Sequence, residues 1–279
     1  MKEKFRKILL SGIQQIKNPY YEGFAASLAF YIILSIVPIL MLLSQLLGVF
    51  GLSLASLQEV FSLYLTEEMA IFVHKILSFT PSSASNFIFI LMILWSSSKA
   101  QFSLVRIGSY TMSGGESTGN GFIRDRIWAL LSTILVVISF AAGLILLVYG
   151  EWIFRLILTL LDQLLLLPLE DTMGSLWLVL RWPIAFGIYF LVVWINYSLM
   201  SNKRISFKKV APGALFASVG ILLVTFLYSL YTNLIAKYDL VYGALASIVA
   251  LMMWVYFIAW CLGVGLIVNR AFLDAKDPQ

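Results

Sequence analysis

Residues 88–106 read IFILMILWSSSKAQFSLVR. An apolar run up to Trp95 meets Ser96, Ser97, Ser98, Lys99 and Gln101 before apolar residues resume. Whether this stretch crosses a membrane decides the topology, because it sets the side on which every later loop lies. The chain around it has a membrane composition. Of its 279 residues 61% are hydrophobic and 12% charged, with a mean hydropathy of +0.94. A soluble domain carries about 25% charged residues.

A hydrocarbon core about 30 Å thick takes about 20 helical residues. Six segments reach that length, over about 23–50, 86–110, 127–150, 175–200, 211–236 and 241–268. The second is the weakest, and a five-span alternative omits it. Charge separates the two counts, since short cytoplasmic loops retain Lys and Arg during insertion. With six spans, Lys2, Lys4, Arg6, Lys7 and Lys17 share a side with Arg106, Arg124, Arg126, Lys203, Arg204, Lys208, Lys209, Arg270 and Lys276. The opposite side holds Lys75, Arg155 and Lys237 among Glu59, Glu67, Glu68, Glu151, Asp162, Glu170, Asp171 and Asp239. Omitting the second span would put the basic loops on alternating sides.

The expected fold is therefore all-α. It is a polytopic six-transmembrane-helix bundle, a single integral membrane domain over 1–279, with a cytoplasmic amphipathic segment at 1–22 and a cytoplasmic tail at 269–279. The net charge of +5 follows from the loop asymmetry and does not call for nucleic acid. Residues 1–20 carry charges before any long apolar run and show no small-residue cleavage site, so no removable signal peptide is expected.

Three segments fall outside the span pattern. Residues 4–17 place Phe5, Ile8, Leu9, Ile13 and Ile16 on one helical face, which suits a helix lying in the interface or packed under the bundle. Residues 53–79 repeat Leu54, Leu57, Phe61, Leu65 and Phe72 at helical spacing, as outer-face amphipathic helices between spans 1 and 2 would. Residues 151–172, with Trp152, Phe154 and a leucine-rich run, suggest that the third span extends beyond the lipid in a hairpin with the fourth. Small residues four apart are expected helix contacts: Ala25 and Ala29, Gly213 and Ala217, Ala214 and Ser218, Gly243 and Ser247, Ala246 and Ala250. Pro38 and Pro183 lie inside spans, where a static bend is expected.

The residues supply no catalytic constellation. One histidine, His74, excludes a paired-His metal site, and one cysteine, Cys261, excludes a disulfide or thiolate cluster. The acidic residues are scattered, so a two-metal nuclease has no ligand set. SGGESTGNG at 113–121 lacks the Lys-Ser or Lys-Thr of a phosphate-binding loop and reads as a flexible cytoplasmic loop. No enzyme activity, cofactor or metal is expected.

Polar groups at membrane depth remain, and these are costly unless they face a partner or a watery cavity. Ser96, Lys99, Ser103 and Arg106 nearly share one helical stripe. Arg181 lies near the outer end of the fourth span beside Trp182, where snorkelling to the headgroups is the alternative role. Asn196 lies near that span's inner end. These six residues are the candidate lining of a path. Lys99 has no intramembrane Asp or Glu to pair with, which leaves carbonyls, water or an anionic ligand group.

AASLAFYIILSIVPILMLL at 25–43 resembles the first-span signature of the YihY/BrkB family of bacterial inner-membrane proteins, through Leu28, Ala29, Phe30, Leu34, Ser35, Ile36 and Pro38. KRISFKKVAPGALFAS at 203–218 resembles its basic cytoplasmic loop, and 241–265 its last span through Tyr242, Gly243, Trp254, Tyr256 and Gly263. The similarity follows matching order over most of the chain. Two departures stand out: Ser201 replaces a common proline, and Gly263, Val264 and Gly265 stand where many members have Gly-Ala-Glu. The missing glutamate removes the family's most obvious intramembrane carboxylate.

The resemblance implies a multi-pass protein of the bacterial cytoplasmic membrane with both termini cytoplasmic. Family members were formerly mislabelled ribonuclease BN, and others are linked to serum resistance, envelope lipid export or cation/proton exchange. The leading expectation is a transporter of a lipid-like or anionic envelope amphiphile, with membrane lipids as partners. The alternatives are a cation/proton antiporter and a non-catalytic scaffold for envelope assembly. Nothing in the sequence sets an oligomeric state.

Overall fold

The computed structural model describes residues 12–13, 15–49, 86–165, 176–200, 207–235 and 239–275. Those residues form six long helices: α1 Pro19–Val49, α2 Asn86–Ser113, α3 Phe122–Leu165, α4 Trp177–Met200, α5 Phe207–Ile235 and α6 Asp239–Asp274. The outer-face segment expected at 53–79, His74 and most of the 4–17 segment lie outside the described residues.

Local chemistry sets the helix ends. Asn18 caps α1 by accepting the Tyr20 N–H on Oδ1 at 3.1 Å, and Pro19 occupies the first helical position, where a missing N–H costs nothing. α2 stops where Gly114 and Gly115 take φ of 74° and 93°, which glycine adopts without a Cβ penalty. α3 starts with a reach-back: the Asp125 carboxylate accepts the Asn120 N–H at 3.1 and 3.2 Å. The 44 residues of α3 span about 66 Å, twice the depth of a hydrocarbon core. It runs on through 151–165, past the apolar span, in keeping with the extension expected there; the turn toward α4 at 166–175 lies outside the described residues.

Five stretches are long and apolar enough to cross a membrane: Pro19–Leu43, Phe122–Gly143, Val179–Leu199, Phe207–Tyr231 and Val249–Asp274. α2 has the length, with 28 residues, but it is not among them. The polar run from Ser96 to Gln101 dilutes its hydropathy, so composition alone supports five apolar crossings where the loop charges call for six. Large apolar side chains project from these helices, among them Phe30, Ile138, Phe140, Leu223 and Phe226, all exposed. The chain is a polytopic helical membrane protein, and such faces suit lipid.

The chain divides into two compact units, one of residues 1–38, 94–133 and 193–279, the other of 39–93 and 134–192. In the first, α5 packs along α6. Ala214, Ala217 and Ser218 are wholly buried, and Ala25, Ala29 and Ala250 are nearly so, in keeping with small-residue packing. Gly243, Ala246 and Ser247 lie outside the described side chains. The two helices come close together at Gly213 and Gly265. A Cβ on Gly265 would lie 2.6 Å from the Gly213 carbonyl oxygen and 2.6 Å from the Tyr197 hydroxyl. The position where the family pattern has a glutamate is thus a helix crossing with no room for a side chain. In the second unit, Trp177 of α4 is buried beside Gly150 and lies 5.7 Å from the Phe154 ring of α3.

Candidate functional site

The six candidate residues occupy different environments. On α2 the inward face carries Ser97, Ser98, Ala100, Leu104, Val105 and Ile107, all buried. Lys99 and Arg106 are exposed, about half a turn round from that face, while Ser103 is 8% exposed and Ser96 half-buried. The stripe read from the sequence therefore divides between two surroundings. Ser97 and Ser98 donate back to the Leu94 and Trp95 carbonyls of their own helix, at 3.1 and 2.8 Å. Buried serines thereby satisfy their hydroxyls without a partner helix.

Arg126 of α3 is the buried cation of this region, at 6% exposure. Its Nη2 donates to the Trp95 carbonyl at 2.6 Å, and its guanidinium lies 3.8 Å from the centroid of the Trp95 ring and 5.6 Å from that of Phe102. The rings and the carbonyl supply what a carboxylate otherwise would. Reading Arg126 only as a loop charge misses this role. The signal lay in the two aromatics seven residues apart on α2, which share one face.

Arg181 is exposed and lies on a cleft of about 510 Å³ in the second unit. α3 contributes Val136, Ser139, Phe140, Gly143 and Leu146 to its lining, and α4 contributes Trp177, Trp182, Ala185, Ile188, Tyr189 and Val192. The guanidinium is 5.3 Å from the Trp182 ring and is the one charged group in the lining. An apolar trough with a single cation suits a molecule with a hydrocarbon part and an anionic head.

Asn196 is 4% exposed in the first unit, next to Tyr197, which is wholly buried and donates to the Leu262 carbonyl at 2.6 Å. Asn269, also wholly buried, accepts the Gly213 N–H at 2.7 Å. This bond ties α6 to the α5 backbone at the residue after Pro212. Asn269 went unnoticed in the sequence, although an asparagine four residues after Gly265 in an apolar helix was a usable signal.

The glycine-rich stretch 113–121, read as flexible, is tied down. Gly115 N–H donates to Tyr110 O at 2.9 Å, Ser117 N–H to Ser113 Oγ at 3.0 Å, and Ser117 Oγ to Gly119 O at 2.8 Å. Side-chain hydroxyls at two-residue and four-residue reach supply this ladder, which a composition reading overlooks. Its first turn borders a polar cavity of about 440 Å³ formed with the start of α1 and the end of α6. Among the described residues no group of three or more His, Cys, Asp or Glu could hold a metal ion.

Comparison with known proteins gives a consistent relationship. The family described as Virulence factor BrkB matches residues 13–279. A ribonuclease-like protein of Bacillus subtilis, YfkH, is 28% identical over 83% of this chain and 82% of its own length. A UPF0761 membrane protein of Pseudoalteromonas translucida is 36% identical over 28% of this chain and 25% of its own. Another from Idiomarina loihiensis is 33% identical over 37% of this chain and 36% of its own. No solved structure matches.

Proposed function

Because the chain belongs to the BrkB virulence-factor family of membrane proteins, we propose that it is a bacterial inner-membrane transporter of an anionic amphiphile. The α3–α4 cleft is the observation that carries this reading. An amphiphile that leaves one leaflet must keep its hydrocarbon part in apolar surroundings while its head loses water. Trp177, Phe140, Ile188 and Val192 provide the first condition, and the Arg181 guanidinium offsets the second with charge-assisted bonds. In this reading both termini are cytoplasmic, α2 crosses as the sixth span, and the exposed Lys99 and Arg106 of α2 offer further contacts to anionic heads.

The antiporter alternative is less well supported. Proton coupling at membrane depth uses Asp, Glu or His, and the described carboxylates of the apolar spans, Glu22, Asp125 and Asp274, sit at the span ends. The ribonuclease-like name of the Bacillus subtilis relative has no matching metal cluster among the described residues.

The test is reconstitution in liposomes with fluorescent anionic or zwitterionic lipids, read by quenching from outside. Wild type should move the anionic probe, and Arg181→Gln should slow it about tenfold, the value of one lost charge-assisted bond. A parallel series with a pH dye and cation pulses reads exchange. Proton flux without lipid movement would favour the antiporter; neither would favour the scaffold.

A further inference from the structure

The polar cavity at the meeting of α1, α2 and α6 differs from the α3–α4 cleft in chemistry and in place. Its side-chain lining is Gln15, Asn18, Tyr21, Tyr110, Thr111, Arg270 and Asp274, and Gly114 and Gly115 also border it. The apolar stretches of α1 and α6 respectively start at Pro19 and end at Asp274, so the cavity sits at the ends of both stretches, where a spanning helix meets the headgroups. Tyr20 stacks on Tyr110 with centroids 4.1 Å apart, and Tyr21 Oη donates to Thr111 Oγ1 at 3.1 Å. These contacts fix two walls, and tyrosine at this depth is ordinary.

Arg270 is the centre of the third wall. Its Nη1 donates to the Met112 carbonyl at 2.7 Å, and its Nε pairs with Asp274 Oδ1 at 2.9 Å. Among the described residues its Nη2 takes no hydrogen bond. Gly114 lies beside Nη2: a Cβ on it would be 3.3 Å from that nitrogen. With φ of 74°, that position also strains any other L residue. A glycine there keeps the front of Nη2 open.

The guanidinium and the carboxylate are adjacent, which sets the ligand class. A simple anion that approaches Nη2 meets the Asp274 charge, and a simple cation on Asp274 meets Arg270. A molecule with both charges a few bonds apart satisfies both. We propose that this cavity is a binding site for a phosphoethanolamine group, with the phosphate on Arg270 Nη2 and the ammonium on Asp274. A guanidinium nitrogen with two N–H groups suits phosphate oxygens, and a carboxylate suits an ammonium. The group reaches the site either as a lipid headgroup or as a free phosphorylated amine, since the cavity lies at the interface.

The experiment uses the full chain purified in detergent and titrated calorimetrically with O-phosphoethanolamine, inorganic phosphate and ethanolamine. O-phosphoethanolamine should bind at least about tenfold tighter than either half, as two charge-assisted contacts predict. Asp274→Asn should remove that preference, and Asp274→Glu should restore most of it. Arg270→Gln should abolish binding. Equal binding of O-phosphoethanolamine and inorganic phosphate by wild type, or none, overturns the proposal whether or not the variants fold. In nanodiscs, loss of O-phosphoethanolamine binding when phosphatidylethanolamine replaces phosphatidylglycerol assigns the site to a lipid headgroup. Unchanged binding assigns it to the free molecule.

Discussion

Gly265→Ala and Gly263→Ala should shift stability in opposite directions, although the two sites lie two residues apart on one helix. A Cβ at Gly265 would sit 2.6 Å from the Gly213 carbonyl oxygen, 2.6 Å from Tyr197 Oη and 2.8 Å from Ala217 Cβ, where ordinary contact is 3.4–4 Å. The carbonyl belongs to the α5 backbone and cannot turn aside, so α5 and α6 must part by roughly 1 Å. A gap of that size forfeits about a quarter to a half of each dispersion contact along the pair. Overpacking of this kind costs about 1–3 kcal/mol, and strain on the bond from Tyr197 to Leu262 O adds about 1 kcal/mol. Alanine's helix propensity returns about 1 kcal/mol, which leaves a net loss of about 2 kcal/mol. At Gly263 the nearest atom is Ile107 Cδ1 at 3.9 Å, so only the propensity gain remains. With about 2–4 °C per kcal/mol, Gly265→Ala should melt about 4–8 °C lower and Gly263→Ala about 2–4 °C higher. Thermal unfolding in detergent, followed by tryptophan fluorescence, measures both. A Gly265→Ala variant that melts at or above wild type refutes the crossing geometry.

Arg126→Lys keeps the charge but loses the Nη2 bond to Trp95 O and the stacking on its ring, so it should cost about 2 kcal/mol in the same assay. An unchanged midpoint would mean that charge alone matters. Asn269→Leu should cost about 1–3 kcal/mol by leaving the Gly213 N–H buried and unpaired; hydrogen exchange at Gly213 should rise with it. Gly150→Ala should displace Trp177, shift its fluorescence and weaken amphiphile binding in the α3–α4 cleft, where Gly143→Ala, with open space around its Cβ, should not perturb the packing.

The helices were legible in the sequence because apolar length is a one-dimensional quantity. The ends of α4 and α5 fall within four residues of the expected bounds. What failed to show is azimuth. Ser97 and Lys99 are two residues apart in a polar run, and nothing local says that the first is buried and the second exposed. Arg181 was picked out by its charge, but Ser139 and Phe140 join it only through the packing of α3 on α4. Gly213 and Gly265 were visible as small residues, whereas their contact across 52 positions was not. Arg270 was counted as one more positive charge, and its carbonyl partner at Met112 lies 158 residues away.

The bond from Arg126 to the Trp95 carbonyl also orders events in time. α2 emerges from the ribosome with its serines and Lys99 as the least apolar of the six helices. Its anchor is encoded 31 residues later, at the start of α3. Tyr20 and Tyr21 of α1 already touch the far end of α2, at Tyr110 and Thr111, and Arg126 adds the hold at its polar middle, so in the six-span reading α2 and α3 insert as a hairpin. If α2 is the sixth span, a chain truncated before Phe122 should insert it less completely than one extended through Gly143.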